Sequence, residues 1–163
     1  MSLLIERLRK CKDDRGIMAN LRCILVDNKK HRAWPALHRL GVPITDDVSS
    51  FIAGLFATHP EDAITGNFGT TCKAIQQKRD DAKGDDSKLT QTERRFQHLL
   101  AAEQGEELCA RILRMVLMAK AEGVPVNYAR LETDLKKKDD WRKTEWAAAF
   151  WTQGVESAAE EDV

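Results

Sequence analysis

Apolar residues recur along this chain at the spacing of α-helices, and no segment alternates apolar and polar positions as a half-buried strand does. The clearest signal lies in residues 90–123, where two helical patterns follow one another. Thr90 and Glu93 have the spacing of a capping box, which predicts a helix start at Thr90. We therefore predict an all-α fold, a bundle of about eight or nine mostly short helices in two small halves.

Residues 106–121 are predicted to form the central helix. Their apolar side chains cover most of the helix circumference, and such a helix is normally buried. The narrow polar strip that remains holds Glu107, Arg111 and Arg114. The pattern alone favours an ion pair between Glu107 and Arg111 on a solvated edge, worth a few tenths of a kcal/mol. The alternative is that the two arginines point outward to bind a ligand.

Composition suggests where the chain divides. We predict an N-terminal helical half over residues 1–75, a charged linker over 76–89 and a C-terminal helical half over 90–154. An acidic, disordered tail is predicted over 155–163. The linker contains the run QQKRDDAKGDDSK, which is too polar to bury a core and mixes acids with bases.

The charge balance limits the function classes. The chain carries 26 Lys and Arg against 26 Asp and Glu, so its formal net charge at pH 7 is zero. Residues 1–43 nevertheless hold ten basic and four acidic side chains. A zero net charge argues against a general nucleic-acid scavenger, but it allows a local basic surface.

Motifs for catalysis or metal binding are missing from the sequence. The four cysteines are scattered without CxxC spacing, which predicts free thiols, no metal site and a cytoplasmic protein. HExxH, GxSxG and P-loop motifs are absent, and the acid pairs lie where helix caps are expected. No apolar run is long enough to span a membrane. We therefore expect a protein that is not an enzyme and uses no cofactor.

What remains is a helical binding protein with basic side chains at intervals, which suits phosphate recognition without sequence specificity. These side chains are Arg22, Lys29, Lys30, Arg32, Arg94, Arg95, Arg111, Arg114, Lys136, Lys137, Lys138, Arg142 and Lys143. Trp34 follows the first basic cluster and could stack a base, but the pattern favours a core position. Trp146 and Phe150 are predicted to form an aromatic core.

The C-terminal half resembles a known family, and the N-terminal half agrees more loosely. In the C-terminal half the resemblance rests on residues 93–97 (ERRFQ), Leu99, Leu100, Leu108, Arg111, Arg114, Lys120, residues 123–126 (GVPV), Leu131, Asp134, Leu135, Asp139, Asp140, Trp146, Ala147 and Phe150. In the N-terminal half it rests on Gly16, Leu21, Arg22, Trp34, Pro35, Leu37, Leu40, Gly41 and residues 67–69. The pattern is similar to the small subunit of Cascade, the type I-E CRISPR surveillance complex, also called the CasB family.

The resemblance implies a non-catalytic, all-α homodimer that packs against the backbone and large subunits carrying the guide RNA. It implies that basic side chains support the single-stranded target and non-target DNA and so stabilise the R-loop in antiviral defence. The DNA-facing residues it implies are Arg22, Arg94, Arg95, Arg111, Arg114 and Arg142, with Lys29, Lys30, Arg32 and Lys143 in second rank. The alternative is a helical scaffold whose arginines form internal salt bridges. A helix-turn-helix regulator fits less well, because residues 45–58 lack the exposed basic side chains of a recognition helix.

Overall fold

The computed structural model describes residues 3–79, 89–137 and 140–151. Over these ranges the protein contains nine α-helices and no strand, which confirms the predicted all-α class. In chain order the helices are α1 (Leu3–Lys10), α2 (Arg15–Arg22), α3 (Trp34–Arg39), α4 (Asp47–Thr58), α5 (Phe68–Arg79), α6 (Gln91–Ala101), α7 (Glu106–Glu122), α8 (Tyr128–Lys136) and α9 (Trp141–Trp151). Two 3₁₀ segments, Cys23–Leu25 and Asp27–Ala33, lie between α2 and α3.

The helices group into two compact units that do not follow chain order. The first unit contains α1 to α4 together with α8, and the second contains α5, α6, α7 and α9. The predicted N-terminal half includes most of α5, and the predicted C-terminal half includes α8. In the structure α5 belongs to the second unit and α8 to the first. The physical reason is that α8 packs on α4, whereas α5 packs on α7 and α9, and the sequence pattern does not reveal such long-range partners.

Helix α5 continues to Arg79 and so reaches into the stretch predicted as a charged linker. The side chain of Ile75 is fully buried, and Arg79 pairs with Glu122 of α7, so packing extends the helix into the polar run. Residues 80–88 of the predicted linker and the predicted tail over 155–163 lie outside the described residues.

Helix α4 is the centre of the first unit, and residues 52–57 are buried along its whole circumference. Asp46 caps its start by accepting a hydrogen bond from the Ser49 backbone N–H at 3.0 Å. At its other end the Tyr128 hydroxyl of α8 donates to the His59 carbonyl oxygen at 2.6 Å. Burial raises the pKa of this hydroxyl, so it remains a protonated donor that ties α8 to α4.

In the second unit, α5 and α9 approach each other at Gly69. A Cβ atom added to Gly69 would lie 2.8 Å from the Trp146 Cα and would overlap the Trp146 carbonyl. Phe68 packs against Trp146 with ring centroids 5.6 Å apart, and Phe96 stacks on Phe150 at 4.5 Å. The predicted core positions of Trp146 and Phe150 are therefore confirmed.

The four cysteines are free thiols, as the sequence predicts. Cys72 is fully buried, and desolvation raises the pKa of its thiol well above the usual value. Among the described helices, none combines the length and the apolar character needed to cross a membrane.

Gly69→Ala tests the close packing of α5 on α9. The new methyl group has no space against the Trp146 backbone, so we expect the free energy of unfolding to fall by about 1–3 kcal/mol. Urea denaturation followed by circular dichroism measures the change.

The control is Gly16→Ala in α2, where a Cβ would make only an ordinary contact at 3.5 Å with Asp14 Oδ1. We expect this control to be neutral or slightly stabilising. Equal behaviour of the two variants would contradict the packing described here.

Candidate nucleic-acid interface

Helix α6 begins at the capping box predicted from the sequence. The Glu93 N–H donates to Thr90 Oγ1 and the Thr90 N–H donates to Glu93 Oε1, each at 3.0 Å. The hydrogen bond from the Thr90 backbone, followed by that from the Trp151 indole, lowers the pKa of Glu93. Two arginines follow on the first turns of this anchored helix: Arg94 is exposed and Arg95 is half-buried.

Helix α7 carries the polar strip predicted from the sequence. Its bounds, Glu106–Glu122, confirm the predicted central helix, and it packs against α5 and α6. Arg111 is half-buried and Arg114 is exposed. The favoured ion pair between Glu107 and Arg111 is wrong, because the Glu107 carboxylate turns to the helix start and accepts from the Glu103 backbone N–H at 3.1 Å.

Three of the predicted arginines of α6 and α7 make no polar contact through their side chains within the described ranges. The side chains of Arg94, Arg111 and Arg114 have neither a hydrogen bond nor an ion pair with any residue in the described ranges. Arg111 and Arg114 are three residues apart on one helix, a spacing that makes their side chains neighbours. Their guanidinium groups are therefore available to an external anion.

A groove of about 450 Å³ lies along one side of α7, and we call it the α7 groove. It is lined by Arg79, Arg95, Ala110, Leu113, Arg114, Leu117, Met118 and Ala121. Its apolar part reaches the surface, since Leu117 is 47% exposed. The exposed side of α7 is therefore wider than the polar strip that the sequence predicts, because it includes aliphatic side chains as well as guanidinium groups.

Among the described residues at the α7 groove, positive charge predominates. Arg79 is partly neutralised by Glu122, with Nε and Oε2 3.3 Å apart. Within the described part of the chain, the Arg95 side chain donates only to the Met118 sulfur at 3.4 Å, which is a weak acceptor, and the Arg114 side chain has no partner. Within that part no group of three or more His, Cys, Asp or Glu side chains is placed to hold a metal ion. The chemistry that this arrangement offers is the binding of anionic oxygen by guanidinium groups.

Arg142 does not join this surface. It is 1% exposed, because it lies on the same face of α9 as the buried Trp146 and Phe150. Its Nη1 donates to the Lys137 carbonyl oxygen, and the Gln104 amide oxygen, turned toward it, accepts from Nη2 at 2.6 Å. The spacing of four residues from Arg142 to Trp146 is a sequence signal for this buried position. The guanidinium group therefore serves the fold.

Lys143 and Arg22 each donate to a carbonyl oxygen near the end of a helix. Lys143 Nζ donates to the Ala102 oxygen after α6 at 2.7 Å, and Arg22 Nη1 donates to the Ala57 oxygen in α4 at 3.1 Å. A cation at a helix C-terminus satisfies an orphan carbonyl and interacts favourably with the helix dipole. Arg22 is otherwise exposed and keeps further N–H donors, whereas Lys143 is half-buried.

The remaining candidates lie in the first unit, on the 3₁₀ segment Asp27–Ala33. Lys29, Lys30 and Arg32 are all exposed. Lys30 Nζ lies 3.4 Å from the Asp27 carboxylate in a solvent-exposed pair, which is worth little. These residues form a second basic surface. It belongs to the first unit, whereas the α7 groove belongs to the second.

Sequence reasoning missed two features. Trp34, predicted as core, is 44% exposed, because α3 turns Ala36 and Leu37 inward instead. Arg79, which the sequence places in the linker, lines the α7 groove. Its spacing of four residues from the apolar Ile75 is the signal that could have placed it on a helix face.

The fold and the exposed guanidinium groups define a class: small all-α proteins with a basic groove suited to a polyanion. The family model for the CRISPR-associated protein Cse2 matches residues 7–151 of this chain. The chain therefore belongs to the Cse2 family, which confirms the resemblance to a type I-E Cascade small subunit and makes the protein a Cascade-type CRISPR subunit.

One solved structure supports the fold. It is the crystal structure of a CRISPR-associated protein of the Cse2 family from Thermus thermophilus. The TM-score is 0.70 at 18% sequence identity, and the alignment covers 91% of this chain and 96% of the other. At this identity the likeness speaks for the fold alone. None of the curated protein sequences matches this chain.

Arg142→Ala and Arg94→Ala distinguish an arginine that serves the fold from an exposed one. Removing Arg142 leaves the Lys137 carbonyl and the Gln104 amide without their donor, so we expect the free energy of unfolding to fall by roughly 1–3 kcal/mol. Removing the exposed Arg94 should change it by less than about 0.5 kcal/mol. Chemical denaturation of the two variants in parallel provides the measurement. If Arg142→Ala proved as stable as Arg94→Ala, Arg142 would not have the structural role given to it here.

Proposed function

We propose that this protein is a non-catalytic small subunit of a type I-E CRISPR surveillance complex that binds DNA strands without sequence specificity. In this role it stabilises the R-loop during antiviral defence in the cytoplasm. The membership in the Cse2 family supports the assembly, and the geometry of the second unit supports the binding of DNA.

The observation that carries the proposal is the set of arginines on α6 and α7 that have no partner among the described residues. Within those residues, the side chains of Arg94, Arg111 and Arg114 make no ion pair and use none of their N–H donors, in a chain whose net charge is zero. A guanidinium group matches a phosphate through two parallel hydrogen bonds. Phosphate contacts of this kind fix a strand in place and carry no sequence information.

The α7 groove suits a single strand better than a duplex. Its guanidinium groups from Arg95 and Arg114 face the same space as the aliphatic side chains of Leu113 and Leu117. A single strand offers both phosphates and unpaired base faces, whereas a duplex covers its bases by pairing and stacking. We therefore infer that the displaced or the target strand runs along α7.

A few phosphate contacts suffice for this role. R-loop formation exchanges one duplex for another of about the same stability, so modest contacts to the backbone shift the balance. Within a complex the other subunits hold the DNA close and supply a high effective concentration. The proposed partners are the backbone and large subunits with their guide RNA, the single-stranded target and non-target DNA, and a second copy of this chain.

The site residues divide by what the structure gives them to do. We propose Arg94, Arg95, Arg111 and Arg114 as the main DNA contacts, with Arg22, Lys29, Lys30 and Arg32 as further contacts from the first unit. Arg142 and Lys143 contribute through the fold, since each donates to a backbone carbonyl. The scaffold alternative, in which the arginines pair within the fold, accounts for the side chains that donate to a carbonyl oxygen. It gives no role to Arg94, Arg111 and Arg114.

The double variant Arg111→Gln with Arg114→Gln tests the proposal. If each arginine neutralises one phosphate, binding of a labelled oligothymidine weakens on the order of ten- to hundred-fold at low salt. The slope of log affinity against log salt concentration also becomes shallower by about 1.4, which is roughly 0.7 for each lost contact on a single strand. Fluorescence anisotropy over a salt series measures both quantities.

The matched control is Lys12→Gln with Arg15→Gln, which makes the same change of net charge at two exposed residues of the first unit. We expect its affinity and its salt slope to stay close to those of the wild type. Equal effects of the two double variants would show that only net charge matters. Unchanged binding in both would favour the scaffold alternative.

A further inference from the structure

Trp34 is exposed beside the basic residues of the 3₁₀ segment Asp27–Ala33. Its side chain begins α3 and remains 44% exposed, whereas the neighbouring Ala33 is fully buried. The ring of His31 meets the Trp34 ring edge-on, with centroids 6.4 Å apart and an interplanar angle of 74°. Whichever ring presents its edge, one imidazole can cover at most one of the two faces of the indole, so the other face is free of it.

The geometry of the 3₁₀ segment places two basic side chains in the column next to the one that ends at this ring. Three residues complete a turn of a 3₁₀-helix, so side chains three positions apart lie above one another. His31 and Trp34 form one such column, and Lys29 and Arg32 form the adjacent one. Neither Lys29 nor Arg32 makes a hydrogen bond or an ion pair through its side chain within the described part of the chain.

An exposed indole next to free cations matches one class of ligand. Proteins that hold single-stranded nucleic acid combine basic side chains for the backbone with aromatic rings on which bases stack. A partner protein with an apolar surface would bury Lys29 and Arg32 without compensation, which is costly. An acidic polymer without bases would use the cations and leave the indole unused.

We propose that Lys29, His31, Arg32 and Trp34, which we call the Trp34 surface, bind one unpaired base of single-stranded DNA by stacking it on the indole. Lys29 and Arg32 bind phosphates of the strand next to that base. This inference rests on the proposed function, because it assigns a contact with single-stranded DNA to the first unit. It adds a contact that depends on the base, whereas the arginines of α7 depend only on the backbone.

The experiment compares two labelled oligonucleotides of equal length, an oligothymidine and an abasic strand with the same phosphates. Binding of each is measured by fluorescence anisotropy for the wild type, Trp34→Ala and Trp34→Phe. We expect Trp34→Ala to weaken binding of oligothymidine by roughly five- to a hundred-fold and to leave binding of the abasic strand unchanged. Trp34→Phe keeps an aromatic face and should stay within about threefold of the wild type.

The possible results separate this inference from the proposed function. A wild type that binds neither strand overturns both. A wild type that binds both strands, with Trp34→Ala equal to it on each, overturns stacking and leaves the proposed function intact. Equal losses on the two strands, or a changed sedimentation coefficient with unchanged DNA affinity, overturn stacking as well, because they reveal a structural role or a contact between copies.

Discussion

The burial of α7 is the constraint on which the candidate interface depends. Its residues Leu108, Ile112 and Val116 are removed from water by packing in the second unit, and this burial supplies much of the driving force for that unit. A helix fixed in this way cannot rotate about its axis. The side chains on its remaining strip must therefore face outward, so that the hydrophobic pattern alone determines where Arg111 and Arg114 point.

The same rule explains why similar residues have different roles. Arg114 lies off the apolar face of its helix and remains exposed, whereas Arg142 shares the face of α9 with Trp146 and is buried. A buried guanidinium group requires partners, and the Lys137 carbonyl and the Gln104 amide provide them. Whether these two arginines are exposed or buried thus follows from their positions relative to the nearest large apolar residues.

Local sequence signals predicted the elements well. The capping box at Thr90, the extent of α7 and the aromatic core of α9 all follow from residues close together in the chain, where spacing fixes geometry. Contacts between residues far apart in the chain could not be predicted in the same way. The exchange of α5 and α8 between the units depends on which helices pair, and the exposure of Trp34 depends on which face α3 turns inward. The rotamer of Glu107, which decides whether Arg111 is paired, is likewise set by a backbone N–H that no periodicity reveals.

In the proposed function the guanidinium groups along α6 and α7 meet phosphate, while the buried one stays within the fold. Nuclear magnetic resonance of the arginine Nε–Hε groups, followed during titration with a short oligothymidine, distinguishes the two kinds of arginine. We expect the signals of Arg94, Arg111 and Arg114 to shift on binding and the Arg142 signal to stay where it is. Binding without any shift at these three arginines, or a shift led by Arg142, would contradict this proposal.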